Sequence, residues 1–188
     1  HSFPTRRSSD LILGKSGLDY RVILIGKHGT SSPDESICIS KPLSNNATCS
    51  PPPAKPQNGP RFFHYDTEVA SNNSLSLILS TYNAKDANNF TTAGWNEWLR
   101  PDAARVFIEI TDDNSTLAAA TFDTQLLAKT PKLFGTVANR NYIFHTIAGL
   151  KENNPATAPW KSTDPIQSAK CTNGTGAENN GQVYQELS

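Results

Sequence analysis

The chain has no methionine, no net charge and no long apolar run, and each absence closes off a class of reading. Lys and Arg total 17, Asp and Glu also total 17, and the pI is near 7.1. That balance leaves no electrostatic footprint for nucleic acid or for an anionic membrane surface. No stretch approaches the roughly 20 apolar residues needed to cross a bilayer, so no membrane insertion is expected. Gly-x-Gly-x-x-Gly and Walker loops are missing, which removes support for nucleotide binding. A Gly-x-Ser-x-Gly elbow is missing too, so a triad drawn from Ser71, His145 and Asp112 has no turn to present its serine. None of the three cysteines sits in a Cys-x-x-Cys spacing, which argues against zinc.

The missing methionine also means that no initiator is present, and the sequence reads as a fragment truncated at both ends. The opening His1-Ser-Phe-Pro-Thr-Arg-Arg-Ser-Ser-Asp-Leu11 is polar, basic and without periodicity. It resembles a translated adapter remnant and is set aside as non-native, which leaves 12–188 as a partial domain. Gly181-Gln-Val-Tyr-Gln-Glu-Leu-Ser188 starts a helix that the chain does not continue. The length suits one domain with a real core.

What the chain does have is three short apolar runs, each followed by turn residues and then by helix-like sequence. They are Tyr20-Arg-Val-Ile-Leu-Ile-Gly26, Arg105-Val-Phe-Ile-Glu-Ile-Thr111 and Tyr142-Ile-Phe-His-Thr-Ile-Ala-Gly-Leu150. Runs apolar on both faces and separated by amphipathic segments predict a doubly wound α/β fold with a mostly parallel sheet. A strand from Leu18 to Gly26 and a shorter one over Arg61–Tyr65 are expected. So is a helix over Asn73–Tyr82, and another capped by Thr121, interrupted by Pro131 and closed by Gly135. Trp95, Trp98 and Leu99 fall at i, i+3 and i+4 before Pro101 and read as core. Two Pro/Ser/Asn-rich excursions, at about 30–60 and 151–180, read as insertions. The first is long for a compact domain and calls for a function or a covalent pin. Cys38 and Cys49 lie within it, and a disulfide between them is expected, which implies an oxidising compartment. Reduced, incidental thiols are the alternative. Cys171 has no partner of this kind inside the chain.

In parallel sheets, ligands sit beyond the carboxyl ends of the strands. The middle run ends there in Asp112-Asp113-Asn114-Ser115, whose oxygens suit a hard cation such as Mg²⁺, Mn²⁺ or Ca²⁺. A solvated Asx turn explains the same four residues. His28 reads as a surface-turn residue, and His64 has no second histidine at metal spacing. His145 alternates with Ile143 and Ile147 and reads as a core or second-layer residue. The Asn-x-Ser/Thr tripeptides at Asn46, Asn72, Asn89, Asn114 and Asn173 follow from an asparagine-rich composition.

The segment Val106-Phe-Ile-Glu-Ile-Thr-Asp112-Asp113, with Leu18–Ile25, Asn139–Gly149 and Tyr184 around it, resembles von Willebrand factor type A domains. It is similar in particular to bacterial extracytoplasmic members with cysteine-bearing insertions, and the resemblance covers most of Ile12 to Ser188. It implies a secreted or surface-anchored, lipoprotein-type adhesion module with no catalytic residues. The partner would be a protein whose carboxylate is captured through a metal-ion-dependent adhesion site. Asp112 matches the family's aspartate. Ser71 stands where the family places a threonine, with Thr67 as second choice, and Asp113 replaces the usual glycine. The family's Asp-x-Ser-x-Ser loop is missing, and Asp34-Glu-Ser36-Ile-Cys38 is a near miss in the wrong place. The site is therefore expected to be incomplete, with weak or no Mg²⁺ or Mn²⁺ binding. The other reading is a fragment of an α/β hydrolase or phosphoesterase that uses Asp112 with a histidine.

Overall fold

The computed structural model describes residues 15–30, 36–172 and 176–188. The set-aside opening, Asp34 of the near miss and Asn173 lie outside them. The chain divides into two compact units. One contains the described residues up to Glu68 together with Thr81–Trp98, and the other contains Val69–Ser80 together with Leu99–Ser188.

In the first unit, β1 (Val22–Gly26) and β2 (Phe62–Asp66) pair in parallel, with Leu24 opposite His64 and Gly26 opposite Asp66. The first is shorter than the expected Leu18–Gly26, and the second has the expected length but is shifted by one residue. Phe62, Phe63, His64 and Tyr65 are all buried. The 3₁₀ turn Trp95–Trp98 packs onto this pair, with Trp98 stacked flat on Phe63 at 4.6 Å and 7°. Trp95 meets Tyr82 edge-on at 4.9 Å, so the tryptophans serve the core as expected.

The first insertion is pinned covalently. Cys38 and Cys49 form a disulfide with Cα atoms 5.7 Å apart. Beside it, Asn46 is fully buried and acts as an internal backbone partner. Its Nδ2 donates to Ile39 O at 2.6 Å, and its Oδ1 accepts from Gln57 N at 2.9 Å. A loop with little apolar content thus gains a polar core of its own.

In the second unit, β3 (Val106–Ile110) and β6 (Ile143–Ile147) pair in parallel, with Ile108 opposite His145. Helix α1 (Ser74–Thr81) contributes all but its last residue to this unit. Helix α2 (Ala119–Lys129) starts earlier than expected. Ala118 occupies the cap position with no side-chain bond, and Thr121 lies inside the first turn. Pro131 does not merely interrupt α2. It opens a separate turn, α3 (Pro131–Phe134), at the first helical position, where its missing N–H costs nothing. Gly135 (φ 87°) closes that turn in a conformation that a side chain would strain, and a Cβ there would collide with the Asn139 carbonyl. It leads into the short antiparallel hairpin of β4 (Gly135–Thr136) and β5 (Asn139–Arg140), and α4 (Gln182–Leu187) ends the chain.

The core of this unit is aromatic. Phe107 lies 5.7–6.3 Å, centroid to centroid, from Phe122, Phe134, Tyr142 and Phe144. Its rim is tied by Asp123, which accepts from Arg140 Nε at 2.8 Å, Arg140 Nη2 at 2.7 Å and Tyr142 Oη at 2.6 Å. The hydrogen bond from Arg140 holds the Asp123 carboxyl below its ordinary range.

Among the described residues the strands form three two-stranded sheets, and the class shown is mixed α/β with short parallel pairs. The β3–β6 pair is not covered on both faces. Val106, Ile108, Ile110, Ile143 and Ile147 are 51–73 % exposed, while Phe107, Glu109 and Phe144 point to the covered side. His145 shares the open face and is exposed, not a core residue, because the period-2 alternation of β6 places it with Ile143 and Ile147.

Candidate functional site at the carboxyl end of β3

The β3–β6 ladder extends one step past the strand, where Thr111 N donates to Ile147 O at 3.0 Å. The backbone then turns through Asp112 and Asp113. Thr111 Oγ1 accepts from Asp113 N at 3.1 Å, an ST-type turn that directs the Asp113 side chain inward. Asp113 is 6 % exposed, and its Oδ1 accepts from Asn114 N at 2.7 Å and from Asn179 Nδ2 at 2.6 Å. Asn179 N returns a bond to Asp112 O at 3.1 Å. Asn114 Oδ1 accepts from Val183 N at 3.0 Å in the first turn of α4. It satisfies a helix-end donor that the cap residue Gly181 has no side chain to meet. Asp113 and Asn114 therefore fasten the end of the chain to the end of β3.

Asp112 is different. It is exposed, and among the described residues its carboxylate makes no hydrogen bond and joins no histidine. The loop carrying Ser71 lies beside this turn, with Asn72 O accepting from Thr116 N at 3.0 Å and from Thr116 Oγ1 at 3.2 Å. Ser71 is exposed in that loop. The structure thus brings the Ser71 loop to the loop after Asp112 within one unit. Thr67 belongs to the other unit, where its N–H bonds Gly26 O at 3.1 Å. Among the described residues, no three His, Cys, Asp or Glu side chains converge as a metal-ligand group. One free carboxylate and one hydroxyl fall short of the six oxygens that Mg²⁺ requires.

Directly beneath the turn is a polar group that sequence reasoning missed. Glu109 lies on the covered face of β3 against the Ser74 hydroxyl, and Ser74 Oγ shares a 2.8 Å hydrogen bond with Tyr184 Oη. Tyr184 is fully buried and is also hydrogen-bonded to Ser115. Burial pushes the Glu109 carboxyl up to about 7, the Ser74 contact offsetting only part of it. Burial likewise raises Tyr184. A carboxyl that is half-protonated near neutrality can hold or release a proton. The one legible signal was a glutamate alternating with isoleucines inside an apolar run.

A shallow surface depression of about 230 Å³ in the same unit is lined by Ser76, Leu79, Ser80, Leu117, Gln125 and Lys129. It contains neither Asp112 nor Glu109. No protein-family model, curated protein or solved structure matches this chain.

Proposed function

We propose that this chain is part of a von Willebrand type A-like, extracytoplasmic protein-binding module of a bacterial protein, with a doubly wound fold and recognition at the carboxyl end of β3. The observation that carries the reading is the division of labour at that turn. Asp113 and Asn114 are consumed by structure, whereas Asp112 presents an uncommitted, exposed carboxylate beside the Ser71 loop. Holding a free carboxylate at a fixed strand end suits ligand capture better than fold stability. Asp112 would be one oxygen donor and Ser71 a second to a shared Mg²⁺, Mn²⁺ or Ca²⁺. When bound, such a cation supplies the positive charge that captures a partner's carboxylate. The Cys38–Cys49 disulfide is compatible with a location outside the cytoplasm.

The test is Mn²⁺-induced line broadening in NMR spectra of the whole chain. Weak broadening confined to amides of Ser71 and Asp112–Ser115, abolished by Asp112→Ala, is the expected result. Broadening elsewhere, or broadening indifferent to that substitution, would remove the role of Asp112. Turnover of simple ester or phosphate substrates, lost in Asp112→Ala, would favour a hydrolase instead.

A further inference from the structure

We propose that His28 and His64 form a pH-sensitive latch that holds the disulfide-bridged insertion against the carboxyl ends of β1 and β2. The latch is closed while the buried His64 imidazole is neutral and released when that ring is protonated. The two rings meet edge-to-face at 5.4 Å and 80°. Each spends one nitrogen on a backbone carbonyl. His28 Nε2 lies 2.9 Å from Pro53 O, in the insertion, and His64 Nε2 lies 3.0 Å from Gly26 O, at the end of β1. A carbonyl oxygen can only accept, so both Nε2 atoms carry the hydrogen. Both Nδ1 atoms are then bare, and both are enclosed with no hydrogen-bond partner among the described residues.

The second proton must therefore go where nothing can accept its hydrogen bond. For His64, whose side chain is fully buried, that would create an unsatisfied charge in the interior. The groups that bear on His64 can be named. Burial and the neighbouring His28 disfavour its charged form, while the Gly26 carbonyl and Asp66 favour it, and burial dominates, holding His64 below the usual histidine range. Paired strand β1 (Val22–Gly26) contributes no ionisable side chain. Asp66 is already engaged, with Oδ1 accepting from His28 N at 2.8 Å and Oδ2 from Asn88 Nδ2 at 3.1 Å.

The sign follows from linkage. The native state excludes a proton that the unfolded chain accepts near pH 6.5, so the stabilisation is complete above that pH and fades as pH falls below it. Relief comes at the weakest attachment. Among the described residues, the His28 ring is hydrogen-bonded to the insertion through Pro53 O, and the adjoining strand-like contact is an isolated bridge, His28 to Ile37. The Cys38–Cys49 bond keeps the loop closed on itself, so the insertion is expected to lift as a unit and not to unravel.

Amide hydrogen exchange between pH 7.5 and pH 5, corrected for intrinsic rates, tests this. Protection of Gly29 and Ile37, whose amides bond to Ile37 O and Lys27 O, should fall at least tenfold more than that of the β3–β6 amides. The double variant His28→Gln/His64→Gln keeps a donor for each carbonyl but cannot titrate, and should show a pH-flat insertion. Should that variant fail to fold, ¹⁵N spectra of the wild-type imidazoles decide: Nε2–H tautomers at pH 7.5 whose titration coincides with the loss of protection support the latch. Protection independent of pH, or imidazoles that titrate without changing it, would overturn the proposal.

Discussion

In the β1–β2 pair no residue is exposed, and β2 is buried from Phe62 to Tyr65. In the β3–β6 pair every second residue faces outward, and those residues are Val106, Ile108, Ile110, Ile143, His145 and Ile147. The two pairs have the same length, the same parallel sense and similarly apolar sequences. They differ in where their polar side chains go. β1–β2 buries His64 and fixes it to a carbonyl. β3–β6 buries Glu109 on its covered face and leaves aliphatics on the open one. Parallel sheets ordinarily need cover on both faces. Here five aliphatic side chains of one face are each more than half exposed. The comparison teaches that an apolar run identifies a strand but not which of its faces will be covered.

The largest effect is expected where the covered face is built. Phe122 is fully buried against Phe107 and Phe144. Truncation to alanine removes a ring from a close-packed cluster and should cost about 3–5 kcal/mol in chemical denaturation. A loss below about 1 kcal/mol would mean that the aromatic cluster does not hold the β3–β6 pair against α2, and the contrast between its faces would collapse.

The next effect is pH-dependent. The unfolded chain ionises Glu109 near pH 4.5, whereas the native state keeps the proton until about 7. Wild-type stability should therefore fall as pH rises across that window and flatten above it. Glu109→Gln keeps a partner for Ser74 and cannot ionise. It should be more stable than wild type by up to about 3 kcal/mol at pH 8 and nearly equal to it at pH 4. Equal stabilities at both pH values would show that water reaches this carboxyl and that the covered face is not dry.

What could be read from the residues, and what could not, follows the same physical divide. Local relations were legible: the strand runs, the turn at Asp112–Ser115, and the bridging of two cysteines within one loop. The β3 run is bounded by turn residues, so its carboxyl end could be located before any contact was known. Relations set by tertiary packing were not legible. Ser74 and Tyr184 reach Glu109 from different helices, and nothing near Glu109 in sequence announces them. His28 meets His64 only because the β1–β2 register brings their strand ends together. Asp112 and Asp113 look interchangeable as neighbouring carboxylates. The Thr111 hydroxyl and Asn179 turn one of them inward and leave the other free.

The smallest effect on stability, and the sharpest test of the comparison, is on the open face. Ile108→Thr with Ile147→Thr replaces two residues that are 65 % and 64 % exposed. Threonine is β-branched and favours strands, so backbone pairing should survive. Since these side chains bury little, denaturation should shift by no more than about 0.5 kcal/mol. Their exposure does have another consequence. Adjacent aliphatics on an open face promote association between chains. The double variant should accordingly show less concentration-dependent light scattering than wild type at neutral pH, where zero net charge offers no repulsion to oppose contact. If the substitutions instead cost 2 kcal/mol or more, about what burying isoleucine is worth, the face is covered in solution. The asymmetry between the strand pairs would then disappear.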